Sequence, residues 1–313
     1  MKAKTIKLTL RKKIDEWLDS IEDEALRVMA ANNTIVTGGA IASMLLREPV
    51  NDYDVYFRTH DAAKRMADYY LKRFEPKTAK GIPCKMYLDD DGSRIRIVIK
   101  SAGIASEDGT DKPYEYFEAT SQDQAAGYVS EVMTDAGDIQ DTYEQTEAAV
   151  LSQEDDGKPR YRPVFMSTNA ITLSQKIQLV IRFHGEPEEI HANYDYVHCT
   201  NYWTSWDNEL VLRREALECL LTKELRYVGS KYPVCSLIRL RKFIARGWTV
   251  NAGQILKAVM QISELDLKNI EVLQDQLTGV DAAYFCEVIS KLKEKDPEKV
   301  NSAYLIEIID RMF

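Results

Sequence analysis

Two glycines and two aspartates define the chemistry open to this 313-residue chain. Gly38 and Gly39 follow the β-prone run Thr34-Ile35-Val36-Thr37 and precede a short apolar stretch from Ala40 to Leu46. A glycine pair at such a junction lets the backbone approach a ligand closely at a helix N-terminus, where free N–H groups and the positive end of the helix dipole favour phosphate oxygens. Asp52 and Asp54 flank Tyr53 at the start of a second β-prone run, Tyr53 to Phe57. Residues two apart in a strand share a face, so the two carboxylates point one way and Tyr53 the other. Hard oxygen ligands with no nearby Cys or His suit magnesium, which completes its shell with water and substrate phosphates. The chemistry this suits is phosphoryl or nucleotidyl transfer.

The elements that must hold these residues are legible around them. Ile14, Trp17, Leu18, Ile21, Leu26 and Met29 recur with a helical period ahead of the first strand. Pro49 closes the short helix after the glycines, and a second helix is predicted from about Asp61 to Phe74. Two strands follow, around Lys85-Met86-Tyr87-Leu88 and Ile95 to Ile99, joined by the Asp91-Gly92 turn signal. Asp89, Asp90 and Asp91 then fill a hairpin tip, where solvation accounts for them. Strand signals return at Ala170 to Leu173, Ile177 to Phe183 and Tyr194 to Cys199, with a short helix containing Glu188 and Ile190 between the last two. From Asn208 the chain reads as helices, broken at Gly229 to Pro233, Gly247-Trp248, Gly279 and Pro297.

The stretch GGAIASMLLREPVNDYDVYF, residues 38–57, resembles the signature of the DNA polymerase beta-type nucleotidyltransferase superfamily. It is most similar to the opening of tRNA nucleotidyltransferases (CCA-adding enzymes) and bacterial poly(A) polymerases, which usually carry Arg-Asp where this chain has Ala42-Ser43. The likeness extends over residues 34–58, more loosely over 166–200 and 225–250, and leaves 101–157 without a counterpart. It implies an α+β fold, a polymerase beta-like mixed-sheet domain followed by an all-helical C-terminal domain. It also implies a third metal-holding carboxylate from a later strand, for which Asp195 is the candidate; a turn cap or a pair with Arg182 is the plain alternative. With Asp52 and Asp54 it would hold two Mg2+ ions, one activating an acceptor hydroxyl and one neutralising the nucleoside triphosphate as pyrophosphate leaves. Gly38, Gly39 and Ser43 would cradle the phosphates.

In the second half, Arg239, Lys242 and Arg246 recur at helical spacing opposite Leu237, Leu240 and Ile244. The run resembles the arginine-bearing helix that touches the nucleotide in CCA-adding enzymes, although a solvated amphipathic face explains it equally well. Lys231, in the loop before it, could reach a triphosphate. His184, His191 and His198 have no carboxylate at motif spacing, so they are read as structural or as the rim of a site. The Tyr and Trp residues of 194–206 could stack on a base, but buried packing is the commoner role.

Composition bounds the rest. Hydrophobic residues make up 45% and charged residues 29% of the chain, which fits a globular protein with a sizeable core and two cooperating domains. The expected boundaries are 1–207, with an acidic insertion at about 101–157, and 208–313. The net charge is -9, yet residues 101–157 alone hold fifteen Asp/Glu against Lys112, leaving the remainder about +5. That permits nucleotide binding and gives no polybasic RNA track. Five scattered cysteines without a C-x-x-C pair read as reduced thiols and exclude a zinc site. With no signal peptide and no long apolar run, the expected location is the cytoplasm. The function these features favour is metal-dependent transfer of a nucleoside monophosphate to an acceptor hydroxyl, with an RNA 3′ end slightly ahead of a protein. Protein nucleotidylation of the toxin kind, or a non-catalytic nucleotide-binding or interaction module of the same fold, is the alternative.

Overall fold

A computed structural model of the chain describes residues 1–74, 84–101, 114–116, 118–120, 159–167 and 169–267, with 269, 272 and 276. They fall into two compact units. One holds the described residues up to 191 together with 199–213; the other holds 192–198 and those from 214 onward.

The first unit opens with α1 (Ala3–Asp19), on which Ile6, Leu10, Ile14 and Trp17 form one fully buried stripe. The expected continuous helix breaks after Asp19, because Asp23 caps a new one, α2 (Glu24–Ala31), by accepting from Leu26 N at 3.0 Å. Strand β1 (Thr34–Thr37), α3 (Gly39–Leu46), β2 (Tyr53–Phe57) and α4 (His60–Arg73) follow as the pattern predicts. Ala62, Ala63 and Ala67 give α4 a small-residue face that packs closely on the sheet, and Tyr70 accepts from Trp17 Nε1 at 2.8 Å. The hairpin of β3 (Cys84–Asp90) and β4 (Ile95–Ser101) is antiparallel, and β5 (Tyr114–Tyr116) adds a third strand to it.

The main sheet has eight strands. Beside β1 and β2 it takes β6 (Glu118–Thr120), β7 (Pro163–Ser167), β8 (Ala170–Leu173) and β9 (Ile177–His184). After α5 (Pro187–His191) come β10 (Tyr202–Thr204) and β11 (Leu210–Val211). The order is β11-β10-β1-β2-β9-β8-β7-β6, and within it only β2 and β9 run parallel. This is the mixed sheet with helices expected of an α+β domain. Strands β5 and β6 lie inside the stretch read as an insertion, which therefore contributes edges to both sheets.

Three expectations give way. Tyr194 to Cys199 is not a sheet strand: Tyr196 makes a single bridge to Tyr227, and Val197–Cys199 is a 3-10 turn. The chain is not wholly helical from Asn208, since β11 closes the sheet edge before α6 (Arg214–Thr222), α7 (Pro233–Ala245) and α8 (Ala252–Ser263) build the second unit. Asp90 is not simply solvated: His60 Nε2 lies 2.9 Å away, Lys64 Nζ 2.7 Å away, and Gly92 N donates to it at 2.9 Å. Its Lys64 partner, helped by Gly92 N–H and His60, holds the carboxyl well below its usual range. Among the described residues no helix is long and apolar enough to cross a membrane, and Cys199, Cys219 and Cys235 are not in disulfides.

Candidate functional site

Tyr53, Val55 and Phe57 of β2 pack into the hydrophobic core, so Asp54 projects from the opposite sheet face. The same alternation in β9 sends Ile177, Leu179 and Ile181 inward and Gln178 outward. Register completes the row: Asp54 stands between Thr37 of β1 and Gln178 of β9, and Thr37 is next to Tyr202 of β10. A polar line thus crosses the centre of the sheet at the end where β1 runs into α3.

Gly38 fits that end to Asp54. Its backbone has φ 90 and ψ -149, a region closed to side-chain-bearing residues, and a Cβ there would lie 2.6 Å from Asp54 Oδ2. The carboxylate occupies the space the missing side chain leaves. Gly39, by contrast, begins α3 in a position where an added Cβ would meet nothing within 4 Å. The first turn of α3 presents N–H groups that have no partner within the helix, beside the Asp54 carboxylate. Asp52, one residue before β2, is half-buried like Asp54. Ser43 lies a full turn further along α3, so it is not among the groups at the helix start.

A buried network that the sequence did not signal fixes the turn. Gly38 N donates to Cys199 O at 3.1 Å, and Thr37 Oγ1 donates to Asn201 O at 2.9 Å. His191 Nε2 sits 2.8 Å from the same hydroxyl; since the Thr37 proton goes to Asn201, the imidazole is the donor. Arg213 N in turn donates to Asn201 Oδ1 at 2.8 Å, while its guanidinium pairs with Glu188 at 2.7 Å. His191, read from sequence as structural or marginal, is the piece that ties α5 to the last residue of β1.

Burial, assisted by Arg213, pushes the His191 pKa down to about 3 from 6.5. The neutral ring is therefore a folded-state property: stability it confers is present above pH 6.5 and declines as pH falls from 6.5 toward 3, because the unfolded chain takes up the proton first. His191→Gln, which keeps a donor but cannot be protonated, should flatten the fall in melting temperature between pH 6.5 and 4. Parallel curves for the two proteins would show that His191 is not the linked group.

The second unit places Asp195 differently from the sequence expectation. It belongs to no strand, its backbone carbonyl accepts from Val228 N at 3.0 Å, and Arg239 Nη1 donates to its Oδ2. The carboxylate thus pairs with Arg239 of α7, the arginine that the helical pattern suggested for a triphosphate. Lys242 is half-buried on the same helix, Arg246 caps its end in solvent, and Ile244 is 51% exposed and so does not form the opposing core stripe. Lys231 is exposed in the preceding loop, with its carbonyl accepting from Gln276 Nε2 at 3.0 Å. His198 is packed between Trp248 and Phe243, ring centres 4.4 and 4.7 Å away, and burial lowers its pKa to about 4. The aromatics near it serve packing.

Arg239→Met should cost roughly 2 kcal/mol by leaving the mostly buried Asp195 carboxylate without its charged donor. Adding Asp195→Asn should restore most of that in a thermal melt. An unchanged melt with weaker nucleotide binding would instead assign Arg239 to a ligand.

Among the described residues no group of three His, Cys, Asp or Glu is placed to hold a metal ion. Asp52 lies outside β2, so strand alternation does not by itself set the two carboxylates on one face as expected; as hard oxygen donors, neither fully buried, they would suit a magnesium ion completed by water and phosphate oxygens.

A family profile described as Gabija anti-defense 2 family protein matches residues 8–223. A protein of Bacillus phage SPbetaL7 named Gabija anti-defense 2 is 20% identical over 123 residues, 39% of this chain and 31% of its own length. The crystal structure of the Bacillus stearothermophilus CCA-adding enzyme in complex with CTP aligns with 83% of this chain and 49% of that one, at 12% identity and a TM-score of 0.32. So loose a likeness carries no weight for the site. The chain spans under a third of the phage relative and about half of the enzyme.

Proposed function

The chain belongs to the Gabija anti-defense 2 family, and from that premise we propose that it counters a defence system through a nucleotidyltransferase-like site at the junction of β1, α3 and β2. The observation that carries this reading is the fit of Asp54 against Gly38, which sets a carboxylate beside the open N-terminus of α3. The open space at Gly39 admits phosphate oxygens to the first-turn N–H groups. Magnesium held by Asp52 and Asp54 would neutralise charge on a nucleoside triphosphate and lower the pKa of an acceptor hydroxyl. The Thr37–His191 tether keeps the turn in register with the carboxylates, so these residues bind and orient while pyrophosphate is the leaving group. The acceptor is a hydroxyl of RNA or of a protein.

One observation favours a second reading, a nucleotide-binding interaction module without turnover. The register neighbour of Asp54 on β9 is Gln178, and β9 contains no acidic residue, so that strand offers no third carboxylate. One experiment separates the two. The purified chain is incubated with magnesium, each α-labelled nucleoside triphosphate and extract of cells carrying the defence, and RNA and protein fractions are then counted. Label in either fraction that is lost with Asp54→Asn supports transfer. No label, with defence still blocked by Asp54→Asn, establishes the interaction reading.

A further inference from the structure

On the other face of β2, Lys13 and Arg160 lie against two aromatic rings, and Lys176 is near enough for its charge to act on Lys13. Lys13 of α1 is half-buried, with its Nζ 5.6 Å from the centre of the Tyr53 ring and 5.1 Å from that of Tyr161. The Arg160 guanidinium lies 5.6 Å from the Tyr161 ring, and Lys176 Nζ donates to Val50 O at 3.1 Å. Among the described residues Glu16 is the carboxylate paired with this group, and it is already shared: it accepts from Tyr161 OH at 3.1 Å and lies 3.3 Å from Arg160 and 3.9 Å from Lys12. Among the described residues the cations here outnumber that carboxylate, and Lys13 and Lys176, both half-buried, are less screened by water than the exposed Arg160.

The backbone holding them is strained. Tyr161, Gln175 and Lys176 have φ of 59, 69 and 64, three of the six non-glycine residues with positive φ among those described. Gln175 and Lys176 form the tight turn from β8 to β9, where Gly or Asn would adopt the left-handed conformation at less cost. The Lys176 carbonyl accepts from Tyr53 N at 2.8 Å, which fixes the turn beside the start of β2. Strain of this kind concentrates at ligand clamps, and here it presents a lysine to an already cationic cluster.

We propose that Lys13, Arg160 and Lys176 form a binding site for a phosphate group, with the rings of Tyr53 and Tyr161 as its walls. It is independent of the reading given to Asp52 and Asp54. The Lys13 ammonium, desolvated and repelled by Arg160 and Lys176 against the attraction of Glu16, has its pKa lowered to about 8. A bound phosphate dianion reverses that balance, accepting charge-assisted hydrogen bonds from groups that otherwise repel one another. Tyr53 points to the core face of β2, opposite Asp54, so the phosphate bound here is a different one from any held at Asp54.

The test titrates inorganic phosphate, a nucleoside 5′-monophosphate and the matching unphosphorylated nucleoside into the full chain at pH 7.5 without magnesium. Phosphate and the monophosphate should bind and the nucleoside should not; a tighter monophosphate means that the phosphate arrives on a nucleotide, and equal affinities mean that the free ion suffices. Lys13→Met and Lys176→Met should each weaken binding about tenfold, the loss of one charge-assisted contact, while Lys13→Arg retains most of it. Asp54→Asn should bind phosphate as the native chain does, so failure here and failure of the transferase reading are separate results. Acylation of Lys13, followed by mass spectrometry in the native protein, should slow when phosphate is present. No binding, affinity unchanged in both Met variants, or acylation indifferent to phosphate would overturn the proposal.

Discussion

Asp54→Asn is expected to abolish nucleotide transfer while leaving the fold intact. The side chain touches the turn at Gly38 and stands half-buried in a polar row whose adjacent members, Thr37 and Gln178, are neutral. The amide is isosteric, so the contact with Gly38 survives, but the charge that would attract magnesium does not. A loss of about a hundredfold or more is appropriate for removing a preorganised electrostatic group from a phosphoryl-transfer site. Asp52→Asn should act in the same direction. Because mutual repulsion of the two carboxylates is relieved, the melting temperature should hold or rise slightly. Full turnover by Asp54→Asn would remove it from the chemistry.

Gly38→Ala should be the most damaging small substitution in the first unit. The φ of 90 with ψ -149 costs an alanine about 1–3 kcal/mol for the backbone alone. The added methyl must also displace Asp54 Oδ2 from 2.6 Å, and relief by moving the turn would strain the Gly38 N–Cys199 O and Thr37–Asn201 hydrogen bonds. At about 2–4 °C per kcal/mol for a chain of this size, the melting temperature should drop by several degrees. Gly39→Ala is the control: its methyl enters open space at a helical position, so stability should be unchanged while nucleotide affinity falls. Equal stability of Gly38→Ala and the native chain would mean that the turn is more adaptable than its contacts indicate.

Much of the first unit is written locally. The run Thr34 to Thr37, the glycine pair, the small-residue helix and Tyr53 to Phe57 carry their periodicities within a few residues each, and they fold as read. The same holds for the β3–β4 hairpin, whose Asp91-Gly92 turn is a short-range signal. What sequence does not display is which strands become neighbours. The pairing of β2 with β9 crosses more than a hundred residues, and it decides that Gln178, not an acid, stands beside Asp54. Tyr194 to Cys199 has strand-like residue types, but the backbones of Asp195 and Val197 bond to Val228 and Arg226 rather than to a sheet strand, so type alone misassigns it. Asp195 and Arg239 lie 44 residues apart, too far for any local pattern to signal that they pair. His191 carries no motif because its partner is a threonine hydroxyl brought near by folding.

The central claim is that the edge formed by Gly38, Gly39, Asp52 and Asp54 binds a nucleotide through magnesium. Calorimetric titration of each nucleoside triphosphate, with and without magnesium, into the native chain, Asp54→Asn and Gly39→Ala tests it most directly. Binding by the native chain that requires magnesium, is lost in Asp54→Asn and is weakened in Gly39→Ala is the predicted result. Nucleotide affinity that is the same in all three proteins, or that is indifferent to magnesium, would contradict it.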